Sequence, residues 1–205
     1  MRRAKPRVTT RREISGGVQL NLFELEAAVG EHKKSVGESS EWYTPKAIFD
    51  ALGLTFDLDP CSPGVGLCHV PARKVFTTAA DGLTQPWHGL VWLNPPFGGR
   101  RGQVPWLRRF FQHKNGIALC SSLTSADWFH DLVVPNAKVL CFPKGKTKFI
   151  RADGSIGKEP GNGIVLIGAG DAANSALLRS GLGACMTLIR NAAGACPMPS
   201  PEMAE

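Results

Sequence analysis

Four consecutive residues, Asn94-Pro95-Pro96-Phe97, follow the apolar run Val91-Trp92-Leu93. The Asn94 carboxamide carries an acceptor oxygen and a donor NH2. Neither proline has a backbone N–H, and each ring fixes φ at about −65°. Pro96 also drives Pro95 into an extended conformation. The segment is therefore stiff, and no neighbouring donor competes for the Pro95 carbonyl. Phe97 adds a flat apolar face, and Gly98-Gly99 leave room beside it. These features suit the capture of an amino group attached to an aromatic ring. The Asn94 oxygen and the Pro95 carbonyl can each accept one amino hydrogen. Such a nitrogen is a poor nucleophile while its lone pair is delocalised into the ring. Two acceptors set out of the ring plane favour a pyramidal nitrogen and free the lone pair. Phe97 can stack on the ring, a contact worth about 1–3 kcal/mol per base. The plainer reading is a strand stopped by prolines, since Asn-Pro commonly opens a turn.

Other chemistry-bearing stretches are weaker. "GGRRGQ" (98–103) places Arg100 and Arg101 directly after the pocket, within reach of flanking phosphates if the substrate is a nucleic acid. "KGKTKFIR" (144–151) carries Lys144, Lys146 and Lys148 and is a second candidate for phosphate contact. Both stretches also read as ordinary solvated loops. "PKGKT" lacks the first glycine of a phosphate-binding loop, because Leu140 stands where that glycine belongs. Cys61, Cys68 and His69 match no common zinc spacing, so no metal is expected.

These groups sit in a chain of 205 residues, enough for one sizeable α/β domain with tails. Hydrophobic residues make up 43% and charged residues 20%, which places the middle of the chain among globular sequences. No apolar run approaches the roughly 18–20 residues of a membrane helix, and the N-terminus lacks the apolar core of a signal peptide. A cytoplasmic protein is the expectation. The six cysteines show no CxxC spacing and read as reduced thiols. The net charge is +7, and residues 1–12 hold six Arg or Lys and no acid. That arm is either solvated and disordered or a contact for nucleic acid.

Residues 1–38 read as a basic, partly disordered extension that could include a short amphipathic helix at "QLNLFELEAAVGEHKK". Residues 39–190 form the body, and 191–205 a disordered tail rich in Pro and Ala. Within the body, helix and strand patterns alternate. "SSEWYTPKAIFDALG" predicts a helix with Thr44 as N-cap, Pro45 at its first position and Gly53 after its end. "LTFDLDP" predicts a strand that halts at Pro60. "RKVFTT" and "GLVWLNPPF" predict two more strands. "VPWLRRFFQHKN" predicts a helix ending at Gly116, and "GIALCSSL" a further strand. "SADWFHDLVVPN" predicts a short helix capped by Ser125, with Trp128 and Phe129 packing inward. "AKVLCFP" and "NGIVLIGAG" complete the strands. Trp42, Trp87, Trp92 and Trp106 read as core residues. Such alternation argues for a largely parallel, doubly wound sheet. Ligands of such sheets bind at the carboxyl ends of strands, where the strand order switches. Asp59 to Gly64 and Asn94 to Gly98 fall on that edge.

The set (Asn/Asp)-Pro-Pro-(Tyr/Phe) resembles the catalytic signature of amino-group methyltransferases that use S-adenosylmethionine. Upstream, "WYTP" (42–45) resembles the segment that lies against the cofactor in adenine methyltransferases. "LDPCSPG" (58–64) resembles their first-strand motif. With "EWYTPKAIFDAL", "DGLTQPWHGLVWLNPPFG", "SADWFHD" and "FPKGKTKF", the series is similar to the phage and prophage DNA adenine-N6 methyltransferases of the Dam type over about residues 40–168. The resemblance implies an abbreviated Rossmann-like methyltransferase fold with a mostly parallel, doubly wound sheet. It implies site-specific methyl transfer from S-adenosylmethionine to adenine N6 in double-stranded DNA. Asn94, Pro95, Pro96 and Phe97 would form the catalytic segment. Tyr43, Thr44, Pro45, Asp59, Pro60, Cys61 and Ser62 would line the cofactor. Asp81 would hydrogen-bond its adenine or simply open a turn. Arg100, Arg101, Lys144, Lys146 and Lys148 would meet DNA. No membrane and no obligatory protein partner is implied. The loop Cys61-Ser62-Pro63-Gly64-Val65-Gly66 departs from the glycine-rich pattern, and no acidic residue ends a second strand. The alternatives are a DNA-binding homologue without catalysis, or the same chemistry on cytosine-N4, RNA adenine or a glutamine side chain.

Overall fold

Short apolar runs bounded by Pro, Gly and Asp break this chain into brief strands, and the sheet they build fixes where the site lies. The structure, a computed structural model, describes residues 43–64, 66, 68–97, 102–151, 153–157 and 163–189. The extension 1–38 with its basic arm, Trp42, Arg100, Arg101 and the tail 191–205 lie outside the described residues. Seven strands are described: β1 Phe56–Asp59, β2 Ala72–Val75, β3 Val91–Leu93, β4 Gly116–Ser121, β5 Val139–Pro143, β6 Ile164–Ala169 and β7 Gly183–Thr187. They form one sheet in the order β2-β1-β3-β4-β6-β5-β7. β1 is parallel to both β2 and β3, and β3 is parallel to β4. β6 runs antiparallel between β4 and β5, and β7 antiparallel beside β5. β1 to β5 therefore share one direction, with β6 and β7 opposed. The α/β, Rossmann-like expectation holds, and most strands are parallel in direction. Beyond β4 every pairing is antiparallel, because β6 inserts between β4 and β5.

The helices are α1 (Lys46–Leu52), α2 (Gln103–His113), α3 (Val134–Asn136) and α4 (Asp171–Arg179). Successive strand residues serve opposite faces, as the two-residue period of a strand requires. In β3, Val91 and Leu93 join one buried cluster with Leu107 and Phe110 of α2. Trp92 joins the other with Phe49 of α1 and Leu177 of α4. Residues of β4, β5 and β6 alternate in the same way. Both faces are thus covered, as expected of near-continuous apolar strands. No helix among the described residues is long and apolar enough to cross a membrane.

The structure corrects four local expectations. Thr44 does not cap α1: Pro45 holds the N-cap position with φ −66° and ψ 145°, and no side chain caps the helix. Hydrogen bonds between Tyr43 and Ile150 in both directions, 2.8 and 2.9 Å long, bring the chain in extended and leave Thr44 buried. α2 ends at Lys114, which adopts the left-handed conformation at φ 63°, rather than at Gly116. The helix expected over 125–136 contains a π-helical turn, Phe129–Val133, and no side chain, Ser125 included, caps that turn. α4 and β7 stand where no element was expected from the residue pattern. Gly53, by contrast, closes α1 in the left-handed conformation, as expected.

The chain leaves β1 to form β2 on one side, and β3 then pairs on the other side. The strand order switches between β1 and β3, so their carboxyl ends, Asp59 and Leu93, flank a crevice. Phe110 is fully buried against the sheet on the face away from Trp92. Phe110→Ala should lower the unfolding free energy by about 3–5 kcal/mol, read from urea denaturation.

Candidate active site

A cavity of about 490 Å3 opens at this crevice, within the usual size range of small-molecule sites. Its wall takes Tyr43 and Thr44 from the segment before α1, Asp59 to Pro63 from the turn after β1, and Asn94 to Phe97 from the end of β3. Three stretches far apart in sequence thus meet in one hollow. Pro45, at the head of α1, is not among the lining residues. Lys144, Lys146 and Lys148 stand outside the cavity, in the connection that leaves β5 at the same sheet edge.

The turn after β1 is built from its own polar groups. Asp59 Oδ1 accepts from the Cys61 N–H at 3.1 Å, and Ser62 Oγ accepts from the Gly64 N–H at 3.2 Å. The Ser62 N–H donates to the Phe76 carbonyl at 2.9 Å, and the Phe76 N–H to the Asp59 carbonyl at 2.9 Å. This network fixes the loop that departs from the glycine-rich pattern. The close approach comes instead from Gly82, also in the cavity wall. A Cβ there would fall 1.9 Å from the Pro60 carbonyl oxygen. No sequence signal marks Gly82 beyond its place after Asp81. Asp81 lines the cavity and also opens a turn: its Oδ1 accepts from the Leu83 N–H at 3.3 Å where φ is 47°.

Asp59 is 2% exposed. Burial pushes its carboxyl up to about 7, against the opposing hydrogen bonds from Cys61 and Ser62. Burial likewise lifts the Cys61 thiol to about 12, with the Asp59 charge adding to the effect, so this cysteine is not a nucleophile. Cys61, Cys68, Cys120, Cys141 and Cys185 are free thiols. No group of three or more potential metal ligands occurs among the described residues.

Phe97, at the cavity mouth, is 38% exposed. Its ring meets the edge of Phe149 at 6.3 Å and 88°. Phe149 is 1% exposed and follows the three lysines, one residue before the Ile150 bridge to Tyr43. The sequence alone points to the lysines of this stretch and not to the phenylalanine, since only tertiary packing brings it to Phe97. Trp106 lines the cavity and stacks on Trp87, rings 6.4 Å apart and 26° from parallel. The Gln103 side chain donates to Ser121 Oγ at 3.0 Å, which pins the start of α2 to the end of β4. Trp128 and Phe129 are buried, as expected.

A family model described as DNA N-6-adenine-methyltransferase (Dam) matches residues 31–167. The chain belongs to that family. No curated protein and no solved structure matches it. The match spans β1 to β5 and most of β6, and with them all the cavity segments described above. A DNA N6-adenine methyltransferase of this family needs a methyl donor as well as a base. The cavity suits a donor of the size and polarity of S-adenosylmethionine. It is large enough, and it holds the Asp59 carboxyl for a cationic group.

Burial of Asp59 has a measurable cost. Unfolded, this carboxyl ionises near 3.8; folded, at about 7. Between those values the unfolded state has lost the proton and the folded state keeps it, so stability falls as pH rises. The loss is up to about 1.4 kcal/mol per pH unit and is complete above the folded value. Urea midpoints of the ligand-free protein should fall between about pH 4 and 7 and level off above. Asp59→Asn should flatten that window.

Proposed function

We propose that this Dam-family chain is a site-specific DNA methyltransferase that uses S-adenosylmethionine and acts on adenine N6 in double-stranded DNA. The observation that carries this reading is the cavity at the β1/β3 switch, with the Asn94–Phe97 segment at one wall and the Asp59 turn at another. When bound, S-adenosylmethionine supplies a methyl group activated on a sulfonium centre.

The chain's own residues then receive, hold and position the base. A base stacked in duplex cannot reach the cavity, so the adenine must be extruded, at a cost of a few kcal/mol. Phe97 is half-exposed and braced edge-on by Phe149, which presents a fixed face for the extruded ring. Asn94 Oδ1 and the Pro95 carbonyl accept the two amino hydrogens and free the nitrogen lone pair. The Asp59 carboxylate lies on the cofactor side, where a cation is stabilised. With a sulfonium donor held there, the methylated nitrogen would be acidic enough to lose its proton to water, so no strong base is required of the chain. Positioning and the exclusion of water account for most of the acceleration.

Lys144, Lys146 and Lys148 lie on the edge where the cavity opens, a position suited to DNA phosphates. Arg100 and Arg101 follow the catalytic segment in sequence and are proposed for the same role. The proposed domain division is a basic extension over 1–38, a catalytic body over 39–190 and a tail over 191–205.

Asn94→Ala should abolish transfer of labelled methyl from S-adenosylmethionine to DNA while leaving the fold intact. Activity near that of the unaltered protein would overturn the role given to residues 94–97. Replacing Lys144, Lys146 and Lys148 together by Gln should reduce the slope of log affinity against log salt by roughly 0.9 for each phosphate no longer neutralised. Filter binding across a salt series measures it.

A further inference from the structure

β7 stands at one edge of the sheet and pairs with β5 alone. The opposite edge is guarded by charge, since β2 carries Arg73 and Lys74. From Gly183 to Ile189 the chain has no charged residue and no proline. Met186 is 54% exposed and Ile189 89%. What holds this strand in place beyond its ladder of hydrogen bonds is therefore a question, and its cysteine supplies an answer.

Cys185 is the register partner of Cys141 in β5. Hydrogen bonds at the two ends of the pairing show what kind of pair this is. The Leu188 N–H donates to the Lys138 carbonyl at 2.9 Å, and the Lys144 N–H to the Leu182 carbonyl at 2.8 Å. Bonded and non-bonded pairs alternate along an antiparallel ladder. Counting inward from either end makes Leu140 with Met186 and Phe142 with Ala184 the bonded pairs, and Cys141 with Cys185 a non-bonded one. The Cα atoms of a non-bonded pair stand about 4.5 Å apart, with the side chains drawn close. A disulfide needs a Cα separation of roughly 4.4–6.8 Å. Both side chains point to the same face, into the cluster that holds Leu177. Burial keeps Cys141 protonated, and the neighbouring Cys185 thiol adds to that effect. The other described cysteines have no such counterpart: Cys120 faces Val165, and Cys61 and Cys68 lie outside the strands.

We propose that Cys141 and Cys185 form a dithiol site that small disulfides oxidise to a cross-strand disulfide, fastening edge strand β7 to β5. Cys185 is half-buried and Cys141 is 0% exposed, so Cys185 reacts first. Its thiolate attacks one sulfur of the small disulfide; a mixed disulfide forms and one small thiolate leaves. The Cys141 sulfur then attacks the Cys185 sulfur; the bond between the two cysteines forms and the second small thiolate leaves. The two protons lost by the cysteines end on those thiolates. Two cysteines are oxidised and one small disulfide is reduced to two thiols. Cys185 gives up its hydrogen bond to the Leu177 carbonyl, 3.3 Å long, but Ser180 Oγ donates to the same carbonyl at 2.8 Å and keeps it satisfied. The reduced pair gains nothing from ionisation, because burial disfavours the thiolate, so the disulfide resists reduction once formed. Neither cysteine lines the cavity, and the site stands apart from the reading of that cavity.

The full chain, equilibrated with oxidised or with reduced glutathione, tests this. Peptide mapping by mass spectrometry without reductant should find Cys141 joined to Cys185 after the oxidised buffer, and both free after the reduced one. The urea midpoint should be higher in the oxidised buffer, since the link restricts the unfolded chain. Cys185→Ser and Cys185→Ala should each show the same midpoint in both buffers, whatever their stability relative to the unaltered protein. Glutathione left on Cys185 with Cys141 free, or no reaction at either cysteine, would overturn the site. A link that forms and lowers the midpoint would overturn the fastening of β7. A rise in midpoint that persists in both variants would assign the effect to other cysteines and overturn it as well.

Discussion

The parallel pairing of β1 with β3, in register at Leu58 and Val91, is the contact on which the site depends. It sends two chain segments out of the sheet side by side, one through Asp59 and the other through Asn94. Neither segment could form a pocket alone: one carries the buried carboxyl, the other the stiff proline pair. A slip of one residue in either strand would turn Trp92 and its neighbours to the opposite face. The buried clusters on both faces oppose such a slip, because Val91 and Leu93 fit one of them and Trp92 the other.

Around that pairing, the walls are held by hydrogen bonds rather than by further strands. The turn after β1 is short of glycine, yet Cys61, Ser62 and Gly64 bind back onto Asp59, Phe76 and Ser62. Gly82 then lets a second loop press against Pro60. Binding groups on loops are useful only when a rigid scaffold positions them. Here the scaffold is the sheet with α1 and α4 on one face and α2 on the other.

Much of this is legible in the amino-acid order. The strands β3 to β6 announce themselves as apolar runs ended by Pro, Gly or polar residues, β1 as a short alternation halted at Pro60, and β2 only faintly, through Val75 and the residues after it. Asn94-Pro95-Pro96-Phe97 can be read for its acceptors because its chemistry is local. Other features depend on distant neighbours and leave no local mark. Thr44 looks like a helix cap because it precedes Pro45 and a helical pattern. The bridge from Tyr43 to Ile150 instead draws the chain in extended and moves the cap to Pro45. α4, "DAANSALLR", and β7, "GACMT", have weak patterns of small residues, and both acquire their form from packing and from pairing with β5. Phe149 reads as one aromatic among lysines until the fold sets it against Phe97. Trp92 reads as core and is core.

The bridge between Tyr43 and Ile150 has a mechanical consequence. Two hydrogen bonds, of 2.8 and 2.9 Å, tie the chain before α1 to the lysine-bearing connection after β5, and Phe149 links that connection to Phe97. The connection that carries Lys144 to Lys148 therefore touches the Tyr43 wall and the Phe97 wall of the hollow at once. A displacement of either wall would have to break that bridge or part those two rings.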